Sequence, residues 1–247
     1  MSGPTLVSIV GAVIAGMAGP FCAAVALDYA RRIEHGAQID GETMCAAVCG
    51  VLRCRSTVRV PRTLAAVCAG LLLLAWAPFI LLPSPAAAAR ALACAILLVL
   101  ALIDGRSGLL PDALTLPLLW AGMLLACAGV GIPLHHSVAA AAAGYLFLRA
   151  LNAAYAACRG RPGMGGGDIK LIAALGAWLG WSSLPGVLLA AGIGGVLFAF
   201  ALRGSKAWAA SLAFGPFLAL AGAFGLVGDP VVQFLFCMGN PICTRSV

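Results

Sequence analysis

Charge is what this sequence has least of. Only 9% of its 247 residues are Asp, Glu, Lys or Arg, and the acids number 8. A soluble domain carries about 25% charged and roughly 45–50% apolar residues, whereas here 63% are hydrophobic. That shortage excludes a water-soluble globular fold. Strict alternation of polar and apolar residues is also missing, which excludes a transmembrane β-barrel. There is no basic stripe interleaved with aromatics, so no nucleic-acid partner is expected; in a membrane protein a net charge of +7 reports topology instead. Residues 1–20 hold no Lys or Arg, so the first apolar run lacks the basic start of a cleaved signal peptide and reads as a retained span. What remains is an all-α, polytopic integral membrane protein embedded in a lipid bilayer, with apolar sequence for about eight spans of ~20 residues.

The apolar runs between charges and Pro or Gly breaks fall near 6–27, 64–82, 86–103, 114–132, 137–158, 169–180, 184–201 and 207–227. Beyond Asp229 the chain is apolar but interrupted by Pro230, Gly239 and Pro241. The expected organisation is a first span with a polar loop (1–63), a membrane core (64–230) and a short tail (231–247). Basic residues occupy alternate connections: Arg31, Arg32, Arg53, Arg55, Arg59 and Arg62, then Arg106, then Arg159 and Arg161, then Arg203 and Lys206. The connections at 83–85, 133–136 and 181–183 contain no Lys or Arg. The positive-inside rule places the basic loops in the cytoplasm and the N-terminus outside. Cys22, Cys68, Cys94 and Cys127 lie in apolar runs, where a thiol is a small packing residue. Cys237 and Cys243 both fall on the outer side, and whether they form a disulfide stays open. Trp120, Trp178 and Trp181 suit a membrane interface or helix packing.

Three acids carry the chemical interest. Asp104 ends the apolar run in LVLALIDGRSGLLPDALTLPLLW, and Asp168 opens one in GMGGGDIKLIAALGAWLGW. Between Asp168 and Arg203 about 34 residues must supply two helices and a turn near 182–186. That leaves roughly 15 residues, or ~22 Å, per helix against a ~30 Å hydrocarbon core. The hairpin reaches only if its cytoplasmic end is recessed, which puts Asp168 and Lys170 at membrane depth, where an ionisable group marks a functional site. Gly163, Gly165, Gly166 and Gly167 remove side chains just before the acid, so backbone can bend and approach a partner closely. Two carboxylates in a partly dry site can share a proton. One, ionised, takes a proton from water, and the other, neutral, donates to a scissile carbonyl oxygen. This aspartic-protease chemistry needs no metal. Asp112, between Pro111 and an apolar run with Thr115 three residues on, is expected to cap a helix. Lys170 reads either as an influence on Asp168 or substrate, or as one half of a structural ion pair.

The stretches ALIDGRSGLLPDALTLPLLWAGML (101–124) and GRPGMGGGDIKLIAALGAWLGW (160–181) together resemble the bacterial prepilin peptidases, or type IV leader peptidases, which are polytopic aspartic proteases of the inner membrane. The GxGD signature of that family matches Gly165-Gly166-Gly167-Asp168. The resemblance covers about 64–227. It implies that Asp104 and Asp168 are the catalytic pair, supported by Gly165, Gly167 and Lys170, with Asp112 outside it. It also implies eight spans and an active site facing the cytoplasm. The implied substrates and partners are precursors of type IV pilins or type II secretion pseudopilins, cleaved after a Gly that follows a short basic leader.

The N-terminal third departs from the pattern. Many relatives of that kind carry two zinc-binding CxxC pairs in a cytoplasmic insert and N-methylate the new terminus with S-adenosylmethionine. Here the loop reads CAAVCGVLRCRSTVRVPR, with Cys45, Cys49 and Cys54 spaced CxxxC and CxxxxC. Three thiols fall short of the four ligands of a closed structural site, so no zinc is expected. S-adenosylmethionine is a cofactor only if methyl transfer is retained, and proteolysis itself requires none. Two other readings make different predictions. A proton-coupled transporter would show an internal repeat, yet GMGGGD has no counterpart in the first half. A catalytically idle homologue acting in assembly would tolerate Asp→Asn changes.

Overall fold

The computed structural model describes residues 3–53, 58–81, 84–203 and 213–238. Among them every regular element is a helix: α1 Gly3–Glu34, α2 Gly41–Leu52, α3 Arg62–Leu81, α4 Pro85–Ser107, α5 Asp112–Cys127, α6 Leu134–Arg159, α7 Gly166–Leu179, α8 Leu184–Arg203 and α9 Gly215–Met238. Eight of these correspond to the expected apolar runs, and the protein is an all-helical polytopic membrane protein. Three helices, Pro85–Ser107, Leu134–Arg159 and Leu184–Ala201, are long and apolar enough to cross a membrane by length and composition alone. Shorter apolar helices accompany them.

Local sequence accounts for the helix ends. Ser84 caps α4 by accepting the Ala87 N–H at 3.1 Å, with Pro85 preset for the first helical position. Gly108 closes α4 in the left-handed conformation, φ 66°, which a residue without Cβ adopts without strain. The element that sequence periodicity missed is α2, a short helix in the basic loop. Asp40 caps it through the Thr43 N–H at 2.9 Å, and that N–H holds the Asp40 carboxyl below its ordinary range. Met44 and Ala47 are its buried face against α1.

Two packed clusters share α4 as a wall. Leu98, Val99 and Ile103 face α1, α2 and α3, while Cys94, Leu97 and Leu100 face the cluster built from α5 to α9. Helix α7 is the centre of the second cluster and is buried from Asp168 through Ala177 except at Lys170. Small residues let its neighbours come close: a Cβ on Gly176 would lie 2.7 Å from the Ala140 carbonyl oxygen of α6, the small-residue contact expected between membrane helices. Ser137 of α6 donates to the Ala177 carbonyl at 2.8 Å, and Trp178 donates its indole N–H to the Leu118 carbonyl of α5 at 2.8 Å. Trp120 and Trp181 are exposed. Cys22, Cys68 and Cys94 are buried as packing residues, whereas Cys127 is exposed.

Two expectations shift. The hairpin after Asp168 does not divide evenly: its turn is at 180–183, so α7 keeps 14 residues and α8 takes 20. At 1.5 Å per residue α7 is only about 21 Å long, and the shortness belongs to that helix alone. The last helix begins at Gly215 and continues through Pro230 to Met238. A proline forfeits one backbone donor, which helices in an apolar environment tolerate. Cys54, Arg55, Lys206, Cys243 and the Cys237 side chain lie outside the described residues, so the disulfide question falls there too.

Candidate active site

Asp104 lies one turn from the end of α4, and Asp168 is the third residue of α7. The two are 5% and 8% exposed, and they are two of the three acids buried among the described residues, with Asp28 the third. The fold brings them into one region: Leu110 packs both on Gly215, which lies against Asp104, and on Gly167, which precedes Asp168. Among the described residues, Asp104 Oδ2 and Asp168 Oδ1 are buried with no hydrogen-bond partner.

Each acid also has one backbone donor. The N–H of Gly215, the first residue of α9, serves the Asp104 carboxylate. The N–H of Gly165, the N-cap of α7, serves Asp168. Gly215 is required sterically as well, because a Cβ there would stand 2.5 Å from Asp104 Oδ2. Leu110, in the connection after α4, fills the space between the two sides. Its side chain would meet a Cβ on Gly215 at 3.2 Å and one on Gly167 at 2.7 Å. Gly167 is therefore needed for packing on Leu110. Gly165 is not: a Cβ there would touch Asp168 Oδ2 at an ordinary 3.6 Å.

The glycine loop is itself anchored. Asn152 of α6 accepts the N–H groups of Gly163 and Met164 at 2.9 and 3.0 Å and donates to the Met164 carbonyl at 3.2 Å. The Tyr155 ring lies where a Cβ on Gly163 would be, at 2.7 Å. The antiparallel pairing of α6 with α7 through Ser137–Ala177, Ala140–Gly176 and Gly144–Ile172 sets Asp168 level with about Leu148. Helix α6 therefore runs on past Asp168 by roughly 16 Å, and the loop folds back along it. Asp168 is recessed below the end of α6, as the short α7 requires.

Asp112 and Lys170 correct one expectation and decide another. Asp112 does not cap α5: the N-cap is Pro111 and makes no side-chain cap. The helix starts one residue early, so Asp112 stands inside its first turn, and its carboxylate turns to Lys170. Lys170 Nζ donates to both Asp112 oxygens, at 2.7 and 2.6 Å, joining α7 to α5. The structural ion pair is thus the reading of Lys170 that the geometry carries.

Sequence reading passed over Gly215, Leu110 and Asn152. Gly215 had a faint signal, since Gly-Pro at the start of an apolar run is a helix-entry pattern. The contacts of Leu110 and Asn152 are tertiary and leave no local mark. As for metal, Cys45 and Cys49 are free, exposed thiols one turn apart on α2. No three His, Cys, Asp or Glu gather anywhere among the described residues.

Fold and site together define a polytopic membrane protein with two buried carboxylates, Asp104 and Asp168, in one region of its core. Residues 91–200, which contain both of them, match the type IV leader peptidase family. The chain is 46% identical over 156 residues to a prepilin leader peptidase/N-methyltransferase of Burkholderia pseudomallei (strain K96243), covering 62% of this chain and 50% of that protein. It is 42% identical over 176 residues to one from Pectobacterium carotovorum subsp. carotovorum, covering 70% and 63%. A third, from Neisseria gonorrhoeae, is 44% identical over 128 residues, covering 52% and 44%. The chain thus spans between under half and under two thirds of these curated relatives. No solved structure matches.

Proposed function

We propose that this chain is a membrane aspartic endopeptidase that removes the short basic leader from prepilins or pseudopilins. The observation that carries the reading is the pair Asp104 and Asp168, each buried and each with one oxygen unpartnered among the described residues. One carboxylate, ionised, takes a proton from a water as that water attacks the scissile carbonyl carbon. The other, neutral, gives its proton to the carbonyl oxygen. Collapse of the tetrahedral intermediate breaks the C–N bond, and the amine leaves with the proton first taken from water. Gly215 lies against Asp104 Oδ2 and Gly165 beside Asp168 Oδ2, which leaves Asp168 Oδ1 for water and substrate.

The basic connections support a reading with eight spans in a bacterial inner membrane, N-terminus outside and both acids toward the cytoplasm. A leader rich in Lys and Arg is held on that same side by the same rule. The N-methyltransferase in the relatives' names belongs to proteins about half of which this chain spans, and no described residue is assigned to S-adenosylmethionine.

The test is cleavage of a prepilin-like substrate by the full chain in membranes, with the product's N-terminus sequenced. Cleavage after the leader Gly that disappears in Asp104→Asn and Asp168→Asn supports the reading. Absence of wild-type cleavage on several leaders moves the weight to an idle assembly homologue.

A further inference from the structure

We infer that Asn152 is a positioning residue for the reaction, a clasp that sets where α7 begins and hence where Asp168 stands against Asp104. The inference rests on the peptidase reading.

Of the six residues between α6 and α7, Gly160, Gly163 and Gly165 are glycines, and two more, Gly166 and Gly167, open α7. Such a segment loses more conformational freedom on ordering than any other composition and has few side chains to anchor it. Asn152 provides the anchor from outside the loop. Its carbonyl oxygen takes two consecutive N–H groups and its amide nitrogen meets the Met164 carbonyl. The orientation of the amide is fixed by its partners, since two donors meet one atom and an acceptor meets the other. Met164 is thereby held on both its N–H and its C=O, so that peptide direction is set four residues, about one helical turn, before Asp168. Tyr155, on the same side of α6, covers Gly163.

The clasp matters because α7, though packed in the core from Ile169 onward, is entered from this loop, and the glycine beside the Asp168 carboxylate, Gly165, belongs to it. Across the site, Asp104 is held by a helix end and by Gly215 of α9. A change in loop height therefore moves one carboxylate and leaves the other in place. A displacement of about 1 Å between catalytic groups costs about 10²-fold in rate.

Three full-chain variants, in membranes with a prepilin-like substrate, test this. Asn152→Ala removes all three hydrogen bonds and is expected to lower kcat at least about tenfold, with KM within twofold. Asn152→Asp keeps the acceptor for both N–H groups and is expected to recover kcat to within about threefold of wild type. Asn152→Gln keeps the chemistry but lengthens the arm by one methylene, and is expected to fold normally while losing kcat and changing the shape of the pH profile. If Asn152→Ala fails to accumulate, Asn152→Gln decides alone. Wild-type kcat and pH profile in Asn152→Gln, per folded molecule, would overturn the clasp while leaving the peptidase reading intact. A wild-type chain that cleaves no leader removes both.

Discussion

The two carboxylates of the site are held by different means. Asp104 belongs to α4, a helix buried on two faces, and its backbone donor comes from Gly215, over a hundred residues later in the chain. Asp168 opens the short α7, and its donor is Gly165, three residues earlier, in a loop anchored by one side chain. Both acids sit on helices packed in the core, and they differ in approach: Asp104 is met by a glycine distant in sequence, Asp168 by a glycine of the loop just before it. The two acids thus differ in support: one lies late in a long helix, and the other follows directly on a glycine loop.

The largest effect should come from removing either member. Asn keeps the shape but cannot exchange the proton, so Asp104→Asn or Asp168→Asn should lower leader cleavage roughly 10²–10⁴-fold, whereas Asp112→Asn should keep most of it. The next contrast separates the two supports. Gly215→Ala drives a Cβ into the Asp104 carboxylate and should cost about 10²-fold. Gly165→Ala has room and still supplies its N–H, so its kcat should stay within about twofold of wild type, a value well short of any misplacement penalty.

Gly167→Ala should fall between these, because its clash is with Leu110. If so, adding Leu110→Ala should restore part of the lost rate, measured as a double-mutant cycle. Breaking the exposed Lys170–Asp112 pair with Lys170→Met should change stability by only about 0.2–1 kcal/mol, read from thermal unfolding in detergent. The smallest effect lies farthest from the acids. The Asp40 carboxyl is held below its ordinary value by Thr43, so its contribution to α2 is full above the ordinary value of 3.8 and is lost as pH falls through the lowered one. Hydrogen exchange at the start of α2 should rise at low pH relative to its neighbours, and Asp40→Asn should remove that dependence.

The acids could be read from the sequence because the surrounding hydropathy singled them out: a carboxylate at either end of an apolar run has few alternatives. Gly163 and Gly167 were visible as missing side chains, although only the structure shows that Tyr155 and Leu110 fill those spaces. Asp112 was misread by one position: with the helix starting at Asp112, its side chain no longer reaches the free N–H groups and turns to Lys170 instead. Helix α2 escaped notice because 12 residues with few buried side chains give too little periodicity. Gly215 and Asn152 act on partners brought close by folding, the first across more than a hundred residues and the second on backbone atoms, which carry no residue-type signature.

The most direct measurement is single-turnover leader cleavage by wild type, Asp104→Asn, Asp168→Asn and the double variant. Groups that act as one unit are grossly non-additive. The account predicts that each single change abolishes the fast phase and that the double variant cleaves no more slowly than either single one. Contradiction would be a double variant at least about tenfold below both singles, or a single variant cleaving at the wild-type rate.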